Sequence, residues 1–193
     1  EAGLDVGANR VGAVVQAFGG GTWAHVGWPR LPTWEEMDCL SFLSVVHGGR
    51  AVFFYTYSVM GKTEKGREQL AKVVGRLNRI YPWLVEKNLQ KQVPVRMVSR
   101  YGVDPSGHPA VHCCLKKKGE RYLLLAVNTI HTAVSAVIRT GYDEASGFNE
   151  LFSESLFPST KGTLNIRLGP YETKAFEFFL KNGSNEPRKP QPL

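Results

Sequence analysis

Three cysteines in 193 residues are too few for a disulfide framework. They form no CxxC pair and no zinc-finger spacing, since Cys113 and Cys114 are adjacent and Cys39 stands alone in an apolar stretch. They read as small buried hydrophobes and leave the redox compartment undecided. No apolar run reaches the ~18 residues that a membrane helix needs, so no membrane partner is expected. No signal peptide is visible, but the chain opens at Glu1 rather than Met, so that absence decides nothing. No GxGxxG leads into a helix and no Walker lysine follows a strand, which argues against a phosphate cradle. No cofactor is expected. His108, His112 and His131 lack metal-ligand spacing, so no metal is predicted.

What is present begins with basic charge, at a formal net of +7. Most of it is scattered Lys and Arg of surface type. The one tight run, Lys116-Lys117-Lys118, reads as a hairpin turn kept soluble by lysines. Basic residues and aromatics are not interleaved on one face, which disfavours nucleic acid as a partner.

The chain is organised around residues 10–58. Arg10 to Phe18 and Ala51 to Tyr57 are nearly continuous apolar runs, the pattern of parallel strands buried on both faces. Between them Pro32-Thr33-Trp34-Glu35-Glu36 has the form of a capping box, and Gly48-Gly49 supplies a stop, which predicts a helix over Thr33 to His47. Strand, helix and strand make a βαβ unit. The loop from Gly19 to Arg30 is rich in glycine and aromatics, and it follows a strand end, where α/β folds place ligands.

A stripe of Leu70, Val73, Val74, Leu77, Ile80, Tyr81 and Leu84 predicts an amphipathic helix over about Glu64 to Val85, kinked or ended near Tyr81 by Pro82. From about Val93 the pattern changes to short strands at turn-limited spacing: 95–101, 110–115, 121–128, 132–139, 163–168 and 171–180. These predict an antiparallel sandwich. The polar, proline-rich residues 181–193 read as a disordered or extended tail.

Three groups of residues carry a resemblance. They are Val14-Val15-Gln16-Ala17-Phe18, Arg30-Leu31-Pro32-Thr33-Trp34-Glu35-Glu36-Met37, and Val46-His47-Gly48-Gly49 with Phe53-Phe54-Tyr55. Together they resemble the end of a (β/α)8-barrel glycoside hydrolase of the large retaining clan A. The resemblance implies strand seven, helix seven, strand eight and helix eight, followed by a small sandwich that often ends in a strand like Leu168-Gly169-Pro170-Tyr171-Glu172. The expected fold is thus the last two βα units of a (β/α)8 barrel over 1–90 and an antiparallel β-sandwich over 91–180. Two βα units cannot close a barrel of typically ~250 residues, so the sequence reads as the C-terminal piece of something longer. The resemblance also favours an extracellular or periplasmic location.

That family keeps a glutamate nucleophile at the end of strand seven, and here the polar residue is Gln16. A neutral amide cannot form the glycosyl ester. The implied function is hydrolysis of, or binding to, carbohydrate, with this chain catalytically incomplete and no catalytic residue assigned. Gln16 can meet a sugar in the barrel mouth or satisfy a buried backbone group. Trp23 and Trp28 offer faces for sugar rings, or packing between loop and helix. His25 is a binding candidate against a plain surface role. Tyr55 and Tyr57 share a strand face by the period of two, with Tyr57 at the rim. Glu36 is assigned to capping and Glu35 to the helix dipole. The alternative is a structural or assembly protein whose open barrel edge packs on other chains. In either case Val11, Val15 and Phe18 are expected to be covered by the missing N-terminal barrel portion, another protein chain or a second copy.

Overall fold

The computed structural model describes residues 11–89, 93–100, 102–145 and 147–180. The expected tail, 181–193, lies outside these, as do residues 1–10 and 90–92. Strand β1 (Gly12–Gln16) and strand β2 (Ala51–Tyr55) pair in parallel, from Gly12 opposite Ala51 to Gln16 opposite Tyr55. Helix α1 (Trp34–Val46) connects them. Its capping box forms: the Glu36 N–H donates to Thr33 Oγ1 at 3.3 Å, and the Thr33 N–H donates to Glu36 Oε2 at 2.8 Å. His47 caps the other end, and Gly48, at φ 93°, turns the chain away through a conformation few side chains tolerate.

The long amphipathic segment is two helices. α3 (Glu64–Arg79) stops at Ile80, and α4 (Tyr81–Leu84) restarts with Pro82 in its first turn, where a missing N–H costs nothing. A single-turn helix α2 (Tyr57–Met60) precedes them. This corrects the placing of Tyr57 on the strand. The ladder ends where its partner does, with the Ala17 N–H donating to the Tyr55 carbonyl, so Tyr57 falls in a helical turn and shares no strand face with Tyr55.

Two antiparallel sheets follow. The first contains β4 (Val111–Lys118), β5 (Arg121–Asn128), β10 (Thr173–Phe178), β7 (Phe148–Glu150) and β8 (Ser155–Phe157), in that spatial order. The second has β3 (Val95–Met97), β6 (Val134–Arg139) and β9 (Thr163–Leu168). The three-residue β7 and β8 are too short for a periodic signal. Gly169-Pro170-Tyr171 is a turn rather than strand, closed by the Glu172 N–H on the Gly169 carbonyl and by the Gly169 N–H on Glu172 Oε2.

Sheet packs on sheet through Leu124, Phe176, Phe178, Ile138 and Leu164. The opposite face of the larger sheet, with Cys114, Leu123, Leu125, Val127 and Ala175, packs against Phe42 and Val45 of α1 and against Val73 and Leu77 of α3. Adjacent Cys113 and Cys114 therefore point into different cores, as alternation along a strand requires.

The lysine run is not a turn. β4 continues through Lys118, and the hairpin turns at Gly119-Glu120. Lys116 is only 1% exposed, and its Nζ donates to the Glu86 carbonyl at 2.7 Å, while Lys118 Nζ donates to the Pro82 carbonyl at 3.1 Å. Carbonyls in and just after α4 draw these cations inward, because the last carbonyls of a helix lack partners within it.

The parallel pair differs from expectation too. Val15 and Ala17 are buried beneath α1, but Val14, Phe53 and Tyr55 are 70%, 60% and 54% exposed. One face of the apolar strands is covered and the other is open among the described residues. Val15 is thus covered internally and Phe18 is half-covered by Trp23 and Trp28, whereas Val11 is exposed, along with Val14 in the opposite phase.

Candidate functional site

The carboxyl ends of β1 and β2 carry an aromatic cluster beside a cleft. After Gln16 the chain passes Gly19, where a Cβ would come 1.9 Å from the Arg30 carbonyl oxygen, so only glycine admits this close approach. A 3-10 turn over Gly21–Val26 then folds back, and the Gly20 N–H donates to the Trp28 carbonyl at 2.9 Å. This places Phe18 with its ring centroid 4.5 Å from Trp23, 5.0 Å from Trp28 and 5.8 Å from Tyr55. The rings meet tilted or edge to face, the arrangements their quadrupoles favour.

The cleft, about 390 Å³, is lined by Gln16, Trp28, Arg30, Glu36, Thr129 and Tyr171, with Cys39, Leu40 and Leu43 among its apolar walls. Arg30 forks onto Glu36 with both N–H···O distances at 2.7 Å. That hydrogen bond, with a further one from the Thr33 backbone, holds the Glu36 carboxyl below the usual carboxylate range against the opposing effect of burial. Glu36 is a fixed anion in a cap, as the capping motif implies, and not a poised acid. Burial, with Asp38 beside it, pushes the Cys39 thiol up to about 12, and Cys39 Sγ donates to the Asn128 carbonyl at 3.5 Å. It is an inert wall rather than a nucleophile.

The far wall is set by one buried amide. Asn128 Nδ2 donates to the Thr132 and Gly169 carbonyls at 2.8 and 2.7 Å, and Asn128 Oδ1 accepts from the Ile130 N–H at 3.2 Å. These bonds tie the 129–132 loop to the 169–172 turn and so hold Thr129 and Tyr171 opposite α1. The Tyr171 N–H donates to the Ile130 carbonyl at 3.1 Å, with Tyr171 at φ 54°.

Of the residues singled out in the sequence, Gln16 and Trp28 meet at the cleft. Gln16 Nε2 donates to the Phe18 carbonyl at 2.8 Å, which orients the amide and satisfies a backbone group. Trp23 belongs to the aromatic cluster, half-buried between Phe18 and Trp28. His25 is exposed in the last turn of the 3-10 segment and does not line the cleft. Tyr57 is exposed at the start of α2 and does not line it either. Thr129 and Tyr171 were not visible in advance, since more than a hundred residues separate them from Gln16 and no local pattern marks them. The cleft joins amide, guanidinium, carboxylate and indole groups, which suit recognition of a polar ligand with an apolar face. Among the described residues that line it, no second carboxylate stands beside Glu36, whereas glycosidic hydrolysis uses a pair.

No family model matches the chain, and no curated protein does. Solved structures do. AmyP in complex with maltose aligns with a TM-score of 0.57 at 12% identity over 91% of this chain and 42% of its own. The alpha-amylase of Geobacillus thermoleovorans, complexed with acarbose, gives 0.55 at 8% identity over 90% and 40%. An Anoxybacillus alpha-amylase gives 0.54 at 11% over 90% and 39%. The chain spans about two-fifths of the length of these relatives. At such identities the likeness is one of fold: a mixed helix-and-sheet chain with antiparallel sheets, built like a portion of the alpha-amylase-like glycoside hydrolases.

Proposed function

We propose that this chain is the C-terminal portion of a carbohydrate-active protein, with 1–90 supplying the last two βα units of a (β/α)8 barrel and 91–180 its sandwich. The observation that carries this reading is the open face of the parallel pair. Val14, Phe53 and Tyr55 project from two parallel strands whose other face is packed under helices. In a closed barrel such residues fill the interior. The cleft and the aromatic cluster lie at the carboxyl ends of the same strands, the end on which barrel enzymes build their sites.

In this reading Gln16, Trp28 and Arg30 bind a sugar, with Trp28 against an apolar ring face and the amide and guanidinium on hydroxyls. Trp23 stiffens the cluster, and His25 and Tyr57 reach only a ligand that extends beyond the cleft. Gln16 provides no nucleophile, so the chain binds without hydrolysing. The sugars in the aligned complexes, maltose and acarbose, are the first probes. Titrated into 15N-labelled chain, they are expected to move the Trp28 indole N–H and the Gln16 side-chain amide, with no release of reducing sugar. Unmoved Trp28 and Gln16 signals across a panel of such sugars would remove the binding reading. Turnover that survives repurification would remove the inactive one.

The same exposed face favours a second reading, that of an assembly protein whose open sheet packs on another chain. Light scattering separates the two: a complex that persists without sugar and is lost in Phe53→Ser supports assembly.

A further inference from the structure

A separate cluster lies where the end of α1 meets the edge of the larger sheet. His47, which caps α1, is exposed, and His112 lies near the start of the edge strand β4. Their ring centroids are 5.2 Å apart, and His47 Nε2 stands 3.0 Å from His112 Nδ1. The second nitrogen of His112, Nε2, is 3.5 Å from Asp104 Oδ2. Asp104 is itself fixed, because its Oδ1 accepts from the Ser106 and His108 backbone N–H groups at 2.8 and 3.0 Å. Asp104 thus stands at ion-pair distance from one imidazole without a hydrogen bond to it, that imidazole faces the second, and the second is exposed.

This order approaches what a metal asks of histidine, with the outer carboxylate near its imidazole but not yet hydrogen-bonded to it. A ligating imidazole is neutral at the nitrogen that binds and commonly donates its other N–H to a carboxylate, which fixes the tautomer and raises the basicity. Two imidazoles at hydrogen-bond distance share one proton between facing nitrogens, so at least one offers a lone pair. Two nitrogens held on one ion at ~2.0–2.1 Å lie about 2.9 Å apart at a right angle and about 3.3 Å apart at a tetrahedral one. The observed 3.0 Å falls between these.

We propose that His47 Nε2 and His112 Nδ1 form a two-histidine site for a divalent transition metal of the zinc, nickel or copper kind, with Asp104 as the outer partner of His112. Among the described residues no group of three or more His, Cys, Asp or Glu side chains is arranged to hold an ion, so water completes the coordination. Imidazole nitrogen selects these metals over magnesium and calcium, which prefer oxygen. An ion here ties the helix layer to the sheet edge, joining residues 65 positions apart in the chain. Spacing in the sequence gives no hint of such a pair.

Thermal unfolding of the 193-residue chain with Zn²⁺ or Ni²⁺, beside Mg²⁺ and Ca²⁺, tests the site. A rise in Tm of several degrees is expected with the first two ions only, saturating at one ion per chain. It should fade as pH falls through the imidazole range, because protons compete for the same nitrogens. His47→Gln and His112→Gln should each abolish the rise, and Asp104→Asn should weaken it. In 15N imidazole spectra of the unaltered chain, diamagnetic Zn²⁺ should move His47 and His112 while His25, His108 and His131 stay in place. That readout does not depend on any variant folding. Absence of a Tm rise, a rise that survives both glutamine variants, or shifts confined to the other histidines overturns the proposal.

Discussion

β2 and β5 are both apolar strands, Ala51-Val-Phe-Phe-Tyr55 against Tyr122-Leu-Leu-Leu-Ala-Val127, and they meet opposite fates. Every residue of β5 from Tyr122 to Asn128 is buried, whereas β2 alternates between exposed and half-buried positions. β5 lies in a sheet with helices on one face and a second sheet on the other. β2 has helices on one face and open surface on the other among the described residues. Apolar content did not decide burial; the number of covering layers did. The usual rule assigns continuous apolar runs to parallel strands and alternation to antiparallel ones. Here the antiparallel strand is the one covered twice, because α1 and α3 lie across the outside of the sandwich.

The comparison is sharpest when both strands are truncated. Leu125→Ala, on the face of β5 that meets the helices, should cost about 2–5 kcal/mol, since it opens a cavity between packed layers. Urea unfolding measures it. A loss no larger than that of a surface substitution would mean that the helix layer does not pack on the sandwich as described.

The next largest effect concerns a charge caught between the same layers. Asp38 of α1 is 1% exposed, 3.4 Å from Arg76 of α3, and Arg76 donates to the Thr173 carbonyl at 2.6 Å. Burial, only partly offset by Arg76, raises the Asp38 carboxyl from 3.8 to about 6. The folded state therefore binds this proton more tightly than the unfolded chain does. The contribution is fully present below about pH 4 and is lost as pH rises through about 6, at most about 3 kcal/mol for a shift of this size. Unfolding measured at both ends of that window should show the wild type losing stability relative to Asp38→Asn as pH rises. Parallel profiles would show that water or Arg76 already compensates the charge.

The smallest effect is expected on the open face. Phe53→Ser should change the stability of the isolated chain by no more than about 0.5 kcal/mol, as for other exposed positions, while reducing dye binding and self-association. A loss comparable to that of Leu125→Ala would show that the face is covered in solution, and the contrast between the two strands would fall.

What could be read in advance follows how far each feature reaches along the chain. The α1 cap needs only Thr33 and Glu36, three residues apart, so the motif and the hydrogen bonds agree. The break at Pro82 is equally local. Tyr57 was misplaced because strand length depends on the partner strand, and Lys116 because its acceptor, the Glu86 carbonyl, lies 30 residues away. The cleft was half legible. Gln16 and Trp28 stood out as a polar strand end and an aromatic loop, but Thr129 and Tyr171 reach it only through the hydrogen bonds of Asn128.

By itself the sequence determined the βαβ stretch, its cap and stop, and the later change to short strands, because periodicity and end signals are properties of neighbouring residues. The tertiary structure alone decided which apolar faces are covered, which lysine is buried, and that His47 meets His112. Those outcomes depend on layers brought together from distant parts of the chain, and no local pattern encodes the partner.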